Sequence, residues 1–276
     1  MKRSELVLSK TFAILCCLFG FISSAVSMEE NNLVIYTEHF PPYNYLNGNK
    51  IVGINHDIVS TACQMAKLNC QFELYPWRRA MELAKKSAFS GLVSTSRVPS
   101  REPLFQWVGP LASSPACFYK IASRDDIKIE NQNDLKNFTV GLIKGDVYEE
   151  ILQSWGLVEN QHYINYSEKF GDITAFKRGK LDLFIASANT VQFHIDGKRI
   201  ENNEITPAFI IDDPNLGGNY LALNLATPKN IQSRLQQAIN QLNKDKMILK
   251  FKQRYLPNIS SVIPESEYAL NKRCRH

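Results

Sequence analysis

From Leu33 onward the sequence alternates short apolar, β-rich runs with segments of helical periodicity, and this alternation constrains the fold more than any other feature. Leu33 to Tyr36 reads as a strand, followed by the aromatic loop Phe40-Pro41-Pro42-Tyr43-Asn44-Tyr45 and a turn at Asn47-Gly48-Asn49. Asn55 is read as the cap of a helix with Asp57 in its first turn and Ile58, Ala62, Met65 and Ala66 on its apolar face. Cys70 to Leu74 reads as a strand, Trp77 to Lys86 as a helix and Leu92 to Ser94 as a strand. A second series follows residue 115. Its strands are Cys117 to Ile121, Phe138 to Ile143, His162 to Tyr166, Leu181 to Ile185 and 205–211, and its helices are Asn131 to Lys136, Val147 to Trp155, Lys169 to Lys177 and 189–197. After Gly217-Gly218 comes a strand at Tyr220 to Leu223, and Ile231 to Tyr255 reads as one long amphipathic helix. Repeated βα units imply α/β layers with largely parallel sheets. Such sheets bind ligands outside the carboxyl ends of their strands.

One strand end is chemically distinctive. Ser94-Thr95-Ser96-Arg97-Val98-Pro99-Ser100-Arg101-Glu102 leaves a strand, crosses a turn at Pro99 and opens a short helix. Hydroxyls, free backbone N–H groups and a planar guanidinium there suit an anion. Arg101 in a first helical turn faces the positive end of the helix dipole, a conflict that a ligand carboxylate would relieve. The alternative is a surface arginine paired with Glu102 or a neighbour. Gly145-Asp146, with Asp146 as a helix cap, and Ser187 stand at comparable strand ends.

The N-terminus reads as an export signal: Lys2, Arg3 and Lys10, an apolar run from Thr11 to Ala25, and small residues at Ala25-Val26-Ser27, with cleavage after Ser27. The run is about 15 residues long, short of the roughly 20 that a membrane anchor needs. The chain has 32 Lys+Arg and 27 Asp+Glu, and residues 1–27 hold three of the former and one of the latter, so the mature charge is near +3. With no basic block, no nucleic-acid partner is expected. Cys63 and Cys70, Cys117 and Cys274 survive processing. In an oxidising compartment Cys63 and Cys70 can bridge a helix end to the next strand, the alternative being two buried thiols. Cys117 and Cys274 remain as a second pair by elimination. No histidine sits at metal-ligand spacing from these cysteines, so no metal is expected.

Phe40-Pro41-Pro42-Tyr43, Gly53-Ile54-Asn55-His56-Asp57, Pro76-Trp77-Arg78-Arg79-Ala80 and Ser96-Arg97-Val98-Pro99-Ser100-Arg101 stand in this order and spacing. Together they resemble the bacterial extracellular solute-binding proteins of family 3, the periplasmic polar amino-acid-binding components of ABC transporters, over roughly residues 32–256. Pro76 to Ala80 is similar to a Pro-Trp-x-Arg-Ala subgroup, and the Cys63/Cys70 spacing to a disulfide of members that bind basic amino acids. The resemblance implies a two-lobed α/β fold, the type II periplasmic-binding-protein fold, with lobe 1 at 28–115 and 218–276, lobe 2 at 118–214 and hinges near 115–118 and 214–219. It further implies a periplasmic monomer that takes a small carboxylated solute to a membrane permease, without cofactor or catalysis. Arg101 would clamp the carboxylate, with donors from Ser96, the backbone near Ser94 and the turn Gly145-Asp146-Val147. Phe40 and Trp77 would be walls, with core packing as the alternative. Arg79 would line the cleft or be a solvated helix residue.

Two departures bear on the ligand. Ser187 stands where amino-acid binders of the family place an aspartate for the α-amino group, and Ser90 where a helix-to-strand turn commonly carries aspartate. Unless Glu38, Asp146 or Asp213 substitutes, the ligand is expected to lack an α-amino group. Asp172 and Asp182 read as structural, and His194 as a surface residue. Two other functions compete: a sensor acting in trans on a receptor, and a dehydratase-like enzyme, which would need an acid or histidine in the cleft.

Overall fold

The structure, a computed structural model, describes residues 31–167, 170–195, 204–213, 216 and 218–256. The export signal, Cys274 and part of the second hinge fall outside the described residues. Two five-stranded sheets organise the chain. In the first, β1 (Asn32–Thr37) lies between β4 (Asn69–Leu74) and β5 (Ser90–Ser96), all parallel. On the far side of β5 runs β12 (Asn219–Leu223), antiparallel to β5 and to the edge strand β6 (Gln106–Val108). The second sheet has the order β11 (Ile205–Ile211), β7 (Ala116–Ile121), β10 (Leu183–Ser187), β8 (Val140–Ile143), β9 (Tyr163–Tyr166). Its β10, β8 and β9 are parallel, and β7 is antiparallel to both neighbours. The chain therefore passes from the first sheet to the second between β6 and β7, and returns between β11 and β12.

The helices cover both faces of the first sheet. On one face α1 (Ile54–Met65) packs against α6 (Lys229–Lys244) and α7 (Met247–Tyr255), burying Ile54, Ile58, Ala62, Leu235, Ile239 and Leu242 in one core. On the other, α2 (Trp77–Lys86) sets Ala80 and Ala84 against Tyr36, Leu92 and Trp107. In the second sheet, α3 (Val147–Ser154) packs over Phe118 and Leu183 on one side, while α4 (Gly171–Lys177) and α5 (Val191–Ile195) cover Tyr119 and Phe184 on the other. Among the described residues, no helix is long and apolar enough to cross a membrane.

Several local expectations are corrected. The helix expected over 231–255 is two helices, because Lys246 adopts φ 57 and ends the first run of backbone hydrogen bonds. The first helix is capped by Gly53, not Asn55. Gly53 has φ 133, and a Cβ there would fall on the Tyr43 carbonyl, so only glycine fits. Asn55 is instead buried in the first turn. Its Nδ2 donates to Ser94 Oγ (2.9 Å) and the Ala112 carbonyl (3.0 Å), and its Oδ1 accepts from Ala112 N (3.0 Å). The helix ends at Met65, and β4 begins at Asn69. The segment after Pro99 makes only a three-residue 3-10 turn, Glu102–Leu104, with Arg101 at its cap position. Strand β6 and the hairpin of β2 (Tyr45–Asn47) and β3 (Lys50–Val52) are additional to the sequence reading.

The Cys63–Cys70 disulfide is present and joins the end of α1 to β4. Cys117 is buried and disulfide-bonded, and its expected partner Cys274 lies outside the described residues.

Candidate functional site

A cavity of about 120 Å3 lies between the two sheets, at the carboxyl ends of β1, β5, β8 and β10. Arg101 forms part of its wall although only 7 % exposed. Its neighbour in sequence does not neutralise it. Glu102 is held by Arg97 through two hydrogen bonds, Nε to Oε2 at 2.7 Å and Nη2 to Oε1 at 2.6 Å. Among the described residues the Arg101 guanidinium has no hydrogen-bond acceptor, and it lies 5.4 Å from the centre of the Trp77 ring. Burial pushes its pKa down from the ordinary arginine range, while the charges of Asp146 and Glu150 hold it up. A desolvated guanidinium with open donors on a cavity wall is a receptor for a planar anion. Of the placements weighed for it, Arg101 takes the buried one, on the cavity wall, rather than the surface pairing with Glu102.

Strand β5 delivers the serines. Ser94 sits at φ 59, a left-handed conformation uncommon outside glycine, at the end of the strand beside the cavity. Its hydroxyl is committed, donating to Asn44 Oδ1 and accepting from Asn55 Nδ2. Ser96 also lines the cavity. Phe40 and Trp77 serve both roles weighed for them, since each lines the cavity and packs against a core cluster.

The turn before α3 behaves differently from expectation. Asp146 and Val147 line the cavity, but the N–H groups of the turn are used internally. Gly145 N donates to Glu149 Oε2 (3.1 Å), Asp146 N to the Ile143 carbonyl (3.0 Å) and Val147 N to Asp146 Oδ1 (2.6 Å). Gly145 is exposed and off the cavity wall, with the Arg78 stem 3.9 Å from where its Cβ would be. Arg79 is also off the wall: it is exposed and its guanidinium stacks 4.5 Å from the Tyr75 ring centre, so its place is the outer face of α2.

Ser187 is buried on the wall at the end of β10. Its Oγ lies 3.0 Å from Thr190 Oγ1, which also accepts from Ser187 N (3.0 Å). Of the three acids considered as substitutes for an aspartate here, Glu38 and Asp146 line the cavity and Asp213 does not, accepting instead from Trp155 Nε1 (3.2 Å). Asp182 is structural, as read, accepting from Thr139 N (2.9 Å) and pairing with Arg124 at 3.1 Å.

The cavity wall also holds residues that the sequence reading did not place there. Asp172, read as structural, is 3 % exposed on the cavity wall. His194, read as a surface residue, also lines the cavity and hydrogen-bonds through Nδ1 to the Thr190 carbonyl at 2.9 Å. Tyr43 and Ser114 were not anticipated. The Tyr43 hydroxyl, on a 1 % exposed ring, meets Ser114 Oγ at 3.2 Å and accepts from Asn189 Nδ2 at 3.3 Å, which ties the loop after β1 to the crossover segment and to the second sheet. Burial pushes the Tyr43 pKa up, against the hydrogen bonds from Ser114, Asn189 and Ser187. The forewarning in sequence was the aromatic loop that holds Tyr43 and the polar run Ser113-Ser114 before a strand. Among the described residues no group of three His, Cys, Asp or Glu is placed to hold a metal ion.

Comparison with known proteins fits this geometry. In fold the chain is similar to an ancestral arginine-binding protein bound to arginine, with TM-score 0.68, 15 % identity and coverage of 82 % of this chain and 98 % of that one. It is similarly close to an arginine transport-system periplasmic binding protein from Legionella pneumophila (TM-score 0.68, 17 % identity, coverage 82 % and 99 %). A histidine kinase sensor domain with similarity to periplasmic binding proteins aligns at TM-score 0.70, with 15 % identity and coverage of 82 % and 96 %. A comparison with curated protein sequences finds no match. The fold is thus the two-lobed one that the resemblance implied. Residues 33–258 match the sequence profile of the bacterial extracellular solute-binding proteins, family 3, and the chain belongs to that family.

Proposed function

We propose that the protein is a periplasmic binding protein that encloses a small carboxylated solute, an amino acid or close analogue, and presents it to an ABC-type permease. The observation that carries this reading is Arg101, buried on the cavity wall beside Trp77 with its guanidinium donors open. Two parallel hydrogen bonds to a carboxylate use the fork geometry of this side chain and offset its desolvation. Phe40 and Trp77 give the solute apolar or cation–π surface, and Ser96 adds a donor. A cavity of about 120 Å3 suits a single small solute rather than an extended peptide. The family is one of binding proteins, and the reading assigns no catalytic step. Lobe 1 then corresponds to 28–115 and 218–276, lobe 2 to 118–214, and binding closes one on the other.

A sensory role in trans uses the same site, and the likeness to a kinase sensor domain favours it as the second reading. Both readings require a solute held at Arg101, so calorimetric titration of wild type and Arg101→Gln tests what they share. A ligand bound by the wild type and lost by the variant is expected. Equal binding by the two proteins would remove Arg101 from the site.

A further inference from the structure

We propose that a Cys117–Cys274 disulfide anchors the segment after Leu256 on the second sheet, so that this tail is a third, covalent connection between the two lobes. The proposal is independent of which solute the cavity holds. Three cysteines lie among the described residues, and all three are disulfide-bonded. Cys63 and Cys70 are joined to each other, which leaves Cys117 bonded to a cysteine outside the described residues. The other cysteines of the sequence are Cys16, Cys17 and Cys274. Cys16 and Cys17 fall in the apolar run of the expected export signal, ahead of the cleavage expected after Ser27. Cys274 is the partner that survives that processing.

Cys117 is fully buried in β7, opposite Ala186 of β10 on one side and Ile210 of β11 on the other. It belongs to the core that α4 and α5 cover, together with Ile173, Phe176 and Val191 of those helices. A disulfide holds its two Cα atoms within about 7 Å of each other, so the segment that carries the partner sulfur lies against this sheet. The chain approaches from the other lobe: Leu256, after α7, is packed in the core of the first sheet. Eighteen positions separate Leu256 from Cys274, a length that extended chain stretches to about 60 Å, so the reach is ample. Arg273 and Arg275 flank Cys274. In an extended segment neighbouring side chains point to opposite sides, which lets the sulfur enter the core while both charges stay in water. The same two charges favour the Cys274 thiolate, the form that attacks a disulfide. Closing the bond takes one hydrogen from each thiol and passes two electrons to a disulfide oxidant of an oxidising compartment, which is left as a dithiol. The anchored ring runs from β7 through β12 to Cys274 and so encloses parts of both lobes, which ties the unfolding of one to the other. It also sits directly behind the cavity wall, since Ala186 lines the cavity beside Cys117.

Peptide mapping of the exported protein, with free thiols blocked and no reductant, tests the pairing. Trypsin cuts after Arg273 and Arg275, so Cys274-Arg275 is expected to stay attached to the peptide that holds Cys117 and to leave on reduction. A blocked Cys117 thiol in the denatured protein would overturn the proposal, as would Cys117 joined to any other cysteine or to a second copy of the chain. The connection between lobes is tested by melting curves on a Cys63→Ala/Cys70→Ala protein, in which Cys117–Cys274 is the remaining bridge. Dithiothreitol should lower its melting temperature by at least about 5 °C, and adding Cys274→Ser should abolish that response. A specific protease site placed within 258–268 separates a strap from a tail that merely decorates the second sheet. Cutting it should lower the melting temperature as far as reduction does, while the severed end stays bound until dithiothreitol is added. A melting temperature unmoved by the cut or by reduction would overturn the third connection. These readouts need no solute, so they stand whether or not Arg101 holds a carboxylate, and the peptide map on wild type decides the pairing even if a variant fails to fold.

Discussion

Arg101 illustrates how a residue that is costly to the fold becomes useful to a site. Its guanidinium is desolvated, pushed down from the ordinary arginine range and without a hydrogen-bond acceptor among the described residues. Each charge-assisted hydrogen bond is worth about 1.5–3 kcal/mol, so Arg101→Met should weaken ligand binding at least about a hundredfold. The same substitution removes a buried charge, and the ligand-free variant is expected to unfold at an unchanged or higher temperature. Calorimetry and a melting curve on one sample check both halves. Asp57 makes the opposite case. Burial pushes its carboxyl up, but hydrogen bonds from His56 and Tyr255 and the charges of His56 and Arg254 outweigh burial, leaving the pKa below the usual carboxylate range. With a folded pKa below the unfolded one, Asp57 stabilises the protein above the unfolded carboxylate pKa, and that contribution is lost as pH falls through the folded value. Asp57→Asn should therefore lower stability near neutral pH and flatten the acid side of the stability profile, as denaturant melts across pH would show. At this scale the sequence was legible where chemistry and strand ends coincided, as at Arg101 and Ser187. It was not legible for Asp172, whose place on the wall depends on a missing side chain in β8, a strand 31 positions away in the numbering.

Among the elements, α1 and the loop before it connect fold to site. Gly53 holds φ 133 against the Tyr43 carbonyl, and Tyr43 reaches the cavity. Gly53→Ala is expected to cost at least about 2 kcal/mol and to reduce ligand affinity with it, because the new methyl displaces the loop that carries Tyr43. A variant with lower stability and intact affinity would uncouple the two. At the other end of α1 the Cys63–Cys70 disulfide closes a short loop. Loop-closure entropy for that length gives about 2.5 kcal/mol, so a Cys63→Ala/Cys70→Ala protein should melt roughly 5–10 °C lower. A midpoint within about a degree of wild type would contradict this. Most strands and helices followed from periodicity and turn residues. The exceptions have local causes: Asn55 looked like a cap but its amide is spent on Ser94 and Ala112, and the break at Lys246 rests on a left-handed residue with no glycine or proline to announce it.

For the whole molecule, the two sheets meet through a few polar contacts around the cavity. Tyr43 bonds to Ser114 and Asn189, Ser100 Oγ donates to Glu150 Oε2 at 2.5 Å, and at the start of β12 Asn219 Nδ2 donates to the Ala112 carbonyl of the first crossover at 3.0 Å. Such contacts are modest and exchangeable with water, which suits an enclosure that opens and closes. Tyr43→Phe removes the hydroxyl that joins loop, crossover and second sheet. It is expected to lower ligand affinity several-fold and raise the radius of gyration of the liganded protein toward the ligand-free value by small-angle scattering. The α/β organisation and family were readable from repeated units and ordered motifs along one chain. The closed cavity was less so, since its walls combine residues from Glu38 to Asn219 that only the crossovers bring together.

The most direct test of the account is scanning calorimetry of residues 28–276, wild type and Arg101→Met in parallel, against the twenty L-amino acids. At 100 times its dissociation constant a ligand stabilises the native state by about 2.7 kcal/mol, a rise of roughly 5–10 °C for a protein of this size. The account predicts that rise for at least one amino acid in the wild type and none for the same compound in Arg101→Met. An equal rise in both proteins would contradict it.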